Sequence, residues 1–340
     1  MPPFSAVFEP LATEPLLAAD PAEAVASAAR AGLTSTPKRL ASWLFYDEAG
    51  SHLFEQITTL PEYYLTRAER SIFTAHADEI VQAAAGHPRQ TLTLIELGAG
   101  TATKTGILLS AAVRLQGTVV YQPVDVSVTA LERARRNILG NLPGVAVRCQ
   151  VADYTREPLP ENRLPNTRTL ALYIGSSIGN FTPAEARGVL RNLRAQLLPG
   201  DQLLLGTDMV KDVPTLLAAY NDAAGVTADF NLNILERLNR ELGADFDLAA
   251  FRHKAIWNAE ESRIEMHLES ARAQRVHLPA NGAGGALMLR FAPGETIHTE
   301  NSYKFTPTTI ESLLSDAGFR ATRTWNDPGD LFSVTLATAV

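Results

Sequence analysis

The sequence predicts an α/β fold, a Rossmann-like parallel sheet flanked by helices, with a second, smaller α+β lobe attached. Three observations predict it. Between residues 91 and 208, five short apolar runs alternate with helix-like stretches, as strands joined by crossover helices do. The first of these runs ends in a glycine turn, Glu96-Leu97-Gly98-Ala99-Gly100. After residue 213 the alternation stops, and a long helical stretch is followed by short runs separated by turns.

Each element has its own signal. Asp20 to Ala31 predicts a helix, with Asp20 as cap, Pro21 at its first position and Glu23 at its third. A second helix is expected over Thr36 to Phe45, and a long amphipathic one over Thr66 to Ala85. Five strands follow, at Thr91–Gly98, Val119–Asp125, Ala146–Ala152, Thr169–Ile174 and Gln202–Asp208. Helices are expected at Thr129–Leu139 and Pro183–Leu198, the latter stopped by Pro199-Gly200. Val213 to Leu242 is mostly helical. Lys254–Ile256, Arg263–Leu268 and Ala271–His277 are expected as antiparallel strands, with a Gly/Ala loop at 279–285. A helix at Thr306–Ala317 and strands at Arg320–Trp325 and Leu331–Ala337 can complete the first sheet. The layout predicted is a core from residues 67–212 and 304–340, a second domain from 20–66 and 213–303, and a loosely held arm at 1–19.

Composition narrows the function. The 340 residues carry 30 Lys and Arg against 37 Asp and Glu, a net charge of −7. Such a chain has no field that gathers phosphate backbones, so no nucleic-acid partner is expected. The single cysteine, Cys149, excludes an intrachain disulfide and a cysteine zinc site, and no paired histidine spacing suggests a metal. No apolar run approaches the roughly 20 residues of a membrane span. The N-terminus carries no basic, apolar leader, and the expected compartment is the cytoplasm. A monomer is expected.

Ligands of such a sheet sit at the carboxyl ends of its strands. Gly98 and Gly100 remove Cβ atoms where backbone must approach a ligand closely. A nicotinamide-binding GxGxxG needs a third glycine at position 103, and this chain has Thr103. The loop suits instead S-adenosylmethionine (SAM), which has no phosphate; Lys104 is placed to meet its carboxylate. Asp125, at the end of the second strand, can accept from both ribose hydroxyls, although Asp125 or Ser127 equally suits a helix cap. Asp153 can accept from the adenine amine while Tyr154 packs on the ring. Three strand ends in order point to a SAM fold. After the fourth strand, Gly175-Ser176-Ser177-Ile178-Gly179-Asn180 lies where methyl donor and acceptor meet in such a fold, with Asn180 offering a donor and an acceptor. A helix cap before Thr182-Pro183 is the plainer reading of Asn180.

PEYYLTRAE (61–69), ELGAGTATKT (96–105), GSSIGNF (175–181), GTDMVKD (206–212), YNDAAGVTADFN (220–231), RELGADFD (240–247), RIEMHL (263–268) and TENSYKF (299–305) resemble the histidine Nα-methyltransferase family of ergothioneine biosynthesis. The resemblance covers about Leu40 to the C-terminus. It implies SAM as cofactor, L-histidine as substrate and transfer of three methyl groups to its α-amine, giving hercynine. It places the carboxylate grip, and with it the catalytic positions, on Tyr63 and Asn180, with Tyr220 nearby. It places the imidazole contacts on Glu300 and Ser302, Met266 in the pocket wall, and Phe54 and Thr227 at further pocket positions. Its cofactor contacts fall on Tyr46, Gly98, Lys104, Asp125, Asp153 and Tyr154. Where the family often has threonine in the central loop, this chain has Ser177, which retains a hydroxyl.

The residues also admit plainer readings. Met266 and Tyr220 suit an ordinary core, Tyr63 and Tyr64 suit interdomain packing, and Glu300 with Ser302 suits a solvent-facing edge strand. Rival functions are methylation of another aromatic amino acid, a non-catalytic SAM-binding protein, and a nicotinamide oxidoreductase. The two-residue spacing of Glu300 and Ser302 puts both on one face of an extended segment, where a carboxylate and a hydroxyl can take the two imidazole nitrogens. An indole pocket has less use for that carboxylate.

Overall fold

The computed structural model describes residues 21–86, 89–100, 102–155, 157, 165–280 and 284–340. The arm expected at 1–19, the Asp20 cap and the centre of the 279–285 loop lie outside them. Helix α1 runs Pro21–Leu33. The helix expected over Thr36 to Phe45 is corrected: only a 3-10 turn forms, at Ser42–Phe45. Pro37 has no N–H to give a helix. Leu40 N–H instead donates to His298 O, and His298 N–H to Lys38 O, so pairing with a distant strand takes the backbone. Helix α2 (Glu48–Ile57) begins at Asp47, whose side chain accepts from Gly50 N–H. Helix α3 (Leu65–Ala85) packs on the sheet that follows.

That sheet starts with β1 (Thr91–Leu97), helix α4 (Thr105–Gln116), β2 (Val119–Asp125) and helix α5 (Val128–Asn141). The third expected strand is split into β3 (Val145–Val147) and β4 (Gln150–Val151), both paired to β2. Then come β5 (Thr167–Tyr173), helix α6 (Pro183–Ala195) and β6 (Gln202–Asp208). These six strands run parallel. In β1, Leu92, Leu94 and Leu97 are buried, the apolar run of a strand covered on both faces.

The stretch from Val213 to Leu242 is two helices, α7 (Val213–Ala219) and α8 (Val226–Leu242), broken at Gly225, which adopts φ +80°. Strands β7 (Phe251–Asn258), β8 (Arg263–Ser270), β9 (Gln274–Leu278), β10 (Leu287–Phe291) and β11 (Thr296–Tyr303) follow. They form two small antiparallel sheets, β11-β8-β7 and β10-β9. The sequence reading did not separate β10 or β11 as strands.

Helix α9 (Pro307–Asp316), β12 (Phe319–Asn326) and β13 (Phe332–Ala339) return the chain to the first sheet. Its order is β12-β13-β6-β5-β1-β2-β3, with β13 antiparallel to β6. The strand order reverses between β1 and β5, so a crevice opens beyond their carboxyl ends. Among the described residues no helix is long and apolar enough to cross a membrane.

Candidate active site

β1 delivers the chain to Gly98 (φ +67°) and Gly100 (φ +51°), conformations open to glycine. A Cβ on Gly98 would stand 3.2 Å from Tyr154 Oη, so glycine keeps the gap between turn and phenol open. Gly100 N–H donates to Asp125 Oδ2 at 3.2 Å, and Ser127 N–H to Asp125 Oδ1 at 2.9 Å. Ser127, not Asp125, caps α5, by accepting from Ala130 N–H. Asp125 thus faces the glycine turn, and burial raises its carboxyl above the ordinary range, against three backbone amides that lower it. Asp153 follows β4, where its carboxylate accepts from Thr155 N–H at 3.0 Å. Tyr154, pushed up to about 12 by burial, stays a neutral phenol set edge-on to Tyr173.

Glu96 closes this end from below. Its buried carboxylate accepts from Thr105 Oγ1 at 2.8 Å and from the Tyr121 hydroxyl, tying β1 to α4 and β2. Desolvation pushes it up to about 7, with the two hydroxyls opposing. Lys104 stands just before α4 and pairs with Glu69 of α3, a residue whose side chain is wholly buried. Glu69 Oε1 also accepts Gly175 N–H at 2.7 Å. One carboxylate thus ties the lysine beside the glycine turn to the loop after β5.

That loop leads into a cavity. Ser176 takes φ +59°, and its Oγ accepts Asp208 N–H at 2.9 Å, which fixes the turn at Ser177–Asn180. The cap of α6 is Thr182, in a full capping box with Glu185, so Asn180 is not the cap. All eight positions expected at the substrate, Phe54, Tyr63, Asn180, Tyr220, Thr227, Met266, Glu300 and Ser302, line this one cavity. Tyr46, expected at the cofactor, lines it as well. Met266 of β8 and Glu300 of β11 are register partners whose side chains enter the same space. The β11 face that carries Glu300 and Ser302 therefore does not look onto solvent.

The cavity is polar on one side and aromatic on the other. Glu300 Oε1 accepts from Asn180 Nδ2 at 3.4 Å, and desolvation pushes its carboxyl up to about 7, with Lys304 opposing. Thr227 Oγ1 is buried without a protein partner. Tyr46 meets Phe54 edge-on at 5.8 Å between centroids, Phe54 meets Tyr63 at 6.3 Å, and Tyr63 meets Tyr220 at 6.3 Å. Burial raises the phenols of Tyr63 and Tyr220 well above their usual range, so neither is a phenolate at neutral pH.

The sequence reading missed the shell behind this wall. Lys304, Asp208, Tyr64 and Lys211 form a buried network, joined by Lys304 Nζ to Asp208 Oδ2 at 2.7 Å and Tyr64 Oη to Asp208 Oδ1 at 2.8 Å. The signal for it was a charge closing a mostly apolar run, as Asp208 ends the wholly buried β6. Glu69 was equally legible as an acid on the apolar face of α3. On the far side of β8, Glu265, His267 and His298 also gather. Their imidazoles stack at 4.8 Å and 21°, and Glu265 is held by Arg263 and Asn258.

Comparison with known proteins identifies the family. Residues 25–339 match the model of the family described as histidine-specific, SAM-dependent methyltransferases. The chain is 46% identical over 323 residues to a histidine N-alpha-methyltransferase of Mycolicibacterium smegmatis, covering 94% of this chain and 97% of that protein. It is 43% identical over 308 residues to the histidine N-alpha-methyltransferase of Mycobacterium tuberculosis, covering 90% and 92%. It is 32% identical over 296 residues to ergothioneine biosynthesis protein 1 of Neurospora crassa, covering 85% of this chain and 32% of that one. With a SAM-type crevice at the switch of strand order, and a polar and aromatic cavity beside it, the chain belongs to the histidine-specific, SAM-dependent methyltransferase family.

Proposed function

We propose that the chain transfers three methyl groups in succession from SAM to the α-amine of L-histidine, giving hercynine for ergothioneine biosynthesis. The observation that carries the reading is the meeting of Tyr63, Asn180, Glu300 and Ser302 in one cavity, next to the loop that Glu69 shares with Lys104. In this reading residues 67–212 and 304–340 hold SAM, and residues 20–66 and 213–303 supply most of the histidine pocket. The residues at the β1, β2 and β4 ends fit SAM: Lys104 for its carboxylate, Asp125 for the ribose hydroxyls, and Asp153 with Tyr154 for the adenine.

SAM supplies a methyl group on a cationic sulfur, so the reaction is an in-line displacement by the amine nitrogen. The remaining work is positioning, which supplies up to ~7–11 kcal/mol in well-oriented systems. Tyr63 and Asn180 grip the histidine carboxylate and aim the amine. Glu300 and Ser302 take the two ring nitrogens, and an analogue lacking those nitrogens leaves them unpaired. The amine must be neutral at each transfer. Its proton leaves through water or the Tyr63 hydroxyl, which relays a proton rather than holding one off, since its phenol does not ionise near neutral pH. The quaternary nitrogen of the product has no N–H, and the faces of Tyr46 and Phe54 suit a cation of that kind.

The test is mass spectrometry of a SAM reaction supplied with all twenty amino acids. Mass gains of one, two and three methyl groups on histidine alone support the reading. Methylation of a different amino acid, or none, overturns it.

A further inference from the structure

Behind the wall made by Ser302 and Tyr220 lies Lys304, its side chain wholly buried. Its ammonium is 2.7 Å from Asp208 Oδ2, 2.7 Å from Ser302 Oγ and 3.0 Å from Tyr220 Oη. A lysine ammonium has three protons and no lone pair. Three acceptors surround this one, and each receives a proton. Both hydroxyl oxygens therefore act as acceptors toward Lys304. Ser302 Oγ and Tyr220 Oη are also 2.6 Å apart, and that bond takes one of their two hydroxyl protons. A single hydroxyl proton is left for the cavity that both residues line. Either oxygen can be the donor in that bond; the phenol is the stronger acid of the two, which favours Tyr220 donating to Ser302. Ser302 Oγ then accepts from both Lys304 and Tyr220, and its own proton turns to the cavity.

We infer that Lys304 is a positioning residue that makes Ser302 a hydrogen-bond donor to substrate, so that the pocket takes the histidine ring as neutral imidazole in one tautomer. A donating Ser302 needs a ring nitrogen with a lone pair, and the opposite N–H then goes to the Glu300 carboxylate. An imidazolium, with N–H on both sides, would set its proton against that of Ser302. The inference rests on histidine being the substrate. Asp208 does not depend on Lys304 alone, because Lys211 Nζ lies 2.5 Å away and Tyr64 Oη 2.8 Å away. Replacing Lys304 therefore leaves the carboxylate partnered.

The experiment is calorimetric titration of L-histidine into protein saturated with S-adenosylhomocysteine, for wild type, K304M, S302A and the double variant. If Lys304 acts through Ser302, S302A and K304M each weaken histidine about tenfold, the loss of roughly one hydrogen bond. The double variant is then no more than about twofold weaker than K304M. K304Q, whose amide keeps two N–H donors, recovers part of the loss. An unchanged affinity in K304M, or independent losses that multiply to about a hundredfold, overturns the inference. Wild type that fails to bind histidine at all overturns the substrate reading instead. A second measurement needs no variant: 15N NMR of ring-labelled histidine bound to wild type near pH 6, where much of the free amino acid is protonated. Two well-separated nitrogen resonances support a single neutral tautomer, and an imidazolium pair overturns it.

Discussion

Asn180 and Glu300 meet across the cavity, with Asn180 Nδ2 donating to Glu300 Oε1 at 3.4 Å. One residue comes from the loop after β5, next to the cofactor turn, and the other from a small sheet 120 positions later in the chain. A hydrogen bond of that length is weak. In the proposed reading, a ligand group that enters between them exchanges it for stronger bonds on both sides, and so links the end of the pocket that aims the amine to the end that takes the ring.

In the proposed reading Glu300 makes the activity pH-dependent. Its carboxyl is pushed up to about 7 by desolvation, so in the free protein the carboxylate proposed to accept a ring N–H is the minor form below pH 7. Between pH 6 and 8 we expect kcat/KM for histidine to rise with pH in wild type more steeply than in E300Q. The ionisation of free histidine is common to both proteins, so the difference between the two profiles isolates Glu300. Parallel profiles would count against this role. E300A should lose histidine activity and gain relative activity on apolar aromatic amino acids.

The same shift has a stability consequence. The folded chain holds the Glu300 proton up to about pH 7, whereas the unfolded chain releases it near the ordinary 4.5. The native state binds more protons in that window, so stability falls as pH rises from 4.5 to 7. Thermal melts at pH 5 and pH 8 should show E300Q gaining on wild type at the higher pH. A Tm difference that does not change with pH would show that Glu300 titrates normally.

Asp125 should carry SAM affinity and not histidine recognition. A hydrogen bond to a charged group contributes about 1.5–3 kcal/mol, so losing even one in D125A should weaken SAM by roughly tenfold or more. Calorimetry with SAM alone measures this directly. A near-normal SAM affinity would leave the acid as a support for the Gly98–Gly100 turn, which it already holds through Gly100 N–H.

Gly206 of β6 gives Glu69 its seat. A Cβ there would collide with Glu69 Oε1, the oxygen that holds Gly175 N–H. G206A should cost about 1–3 kcal/mol of stability, as overpacking of a close-packed site does. It should also raise the KM for SAM, because Lys104 and the Gly175 loop both lose their common anchor. Denaturant melts and initial rates report the two effects separately. A variant that melts lower but keeps its KM would confine Glu69 to a structural role.

Correct aiming of the amine should depend on Asn180. N180A should lower kcat/KM by about a hundredfold, the scale of an ångström of misplacement, with SAM affinity nearly unchanged. Single-turnover rates at saturating histidine separate this from a loss of binding.

Much of the core was legible in the sequence. The bounds of β2 and β6 were read correctly, because a strand covered on both faces must be a short apolar run between turn residues. The motifs quoted at residues 61–69, 175–181 and 299–305 contain residues that now share one cavity or its backing shell. Less legible was whatever long-range pairing decides. The segment from Thr36 to Phe45 has helix-like spacing, yet its backbone bonds to His298. Strand β11 carries polar residues on both faces, since one face lines a cavity and the other bears His298, stacked on His267 of the neighbouring β8.

What the sequence by itself determined is the alternation of strands and helices in the first sheet and the residue types at its strand ends, because periodicity, glycine and proline act within a few residues. What only the tertiary structure decided is which groups share a proton or a charge. Glu69 against Lys104, Lys304 against Asp208 and Ser302, and Asn180 against Glu300 are pairs in which at least one contact crosses 35 or more positions. Electrostatics and desolvation depend on distance through space, and the chain's linear order does not encode that distance directly.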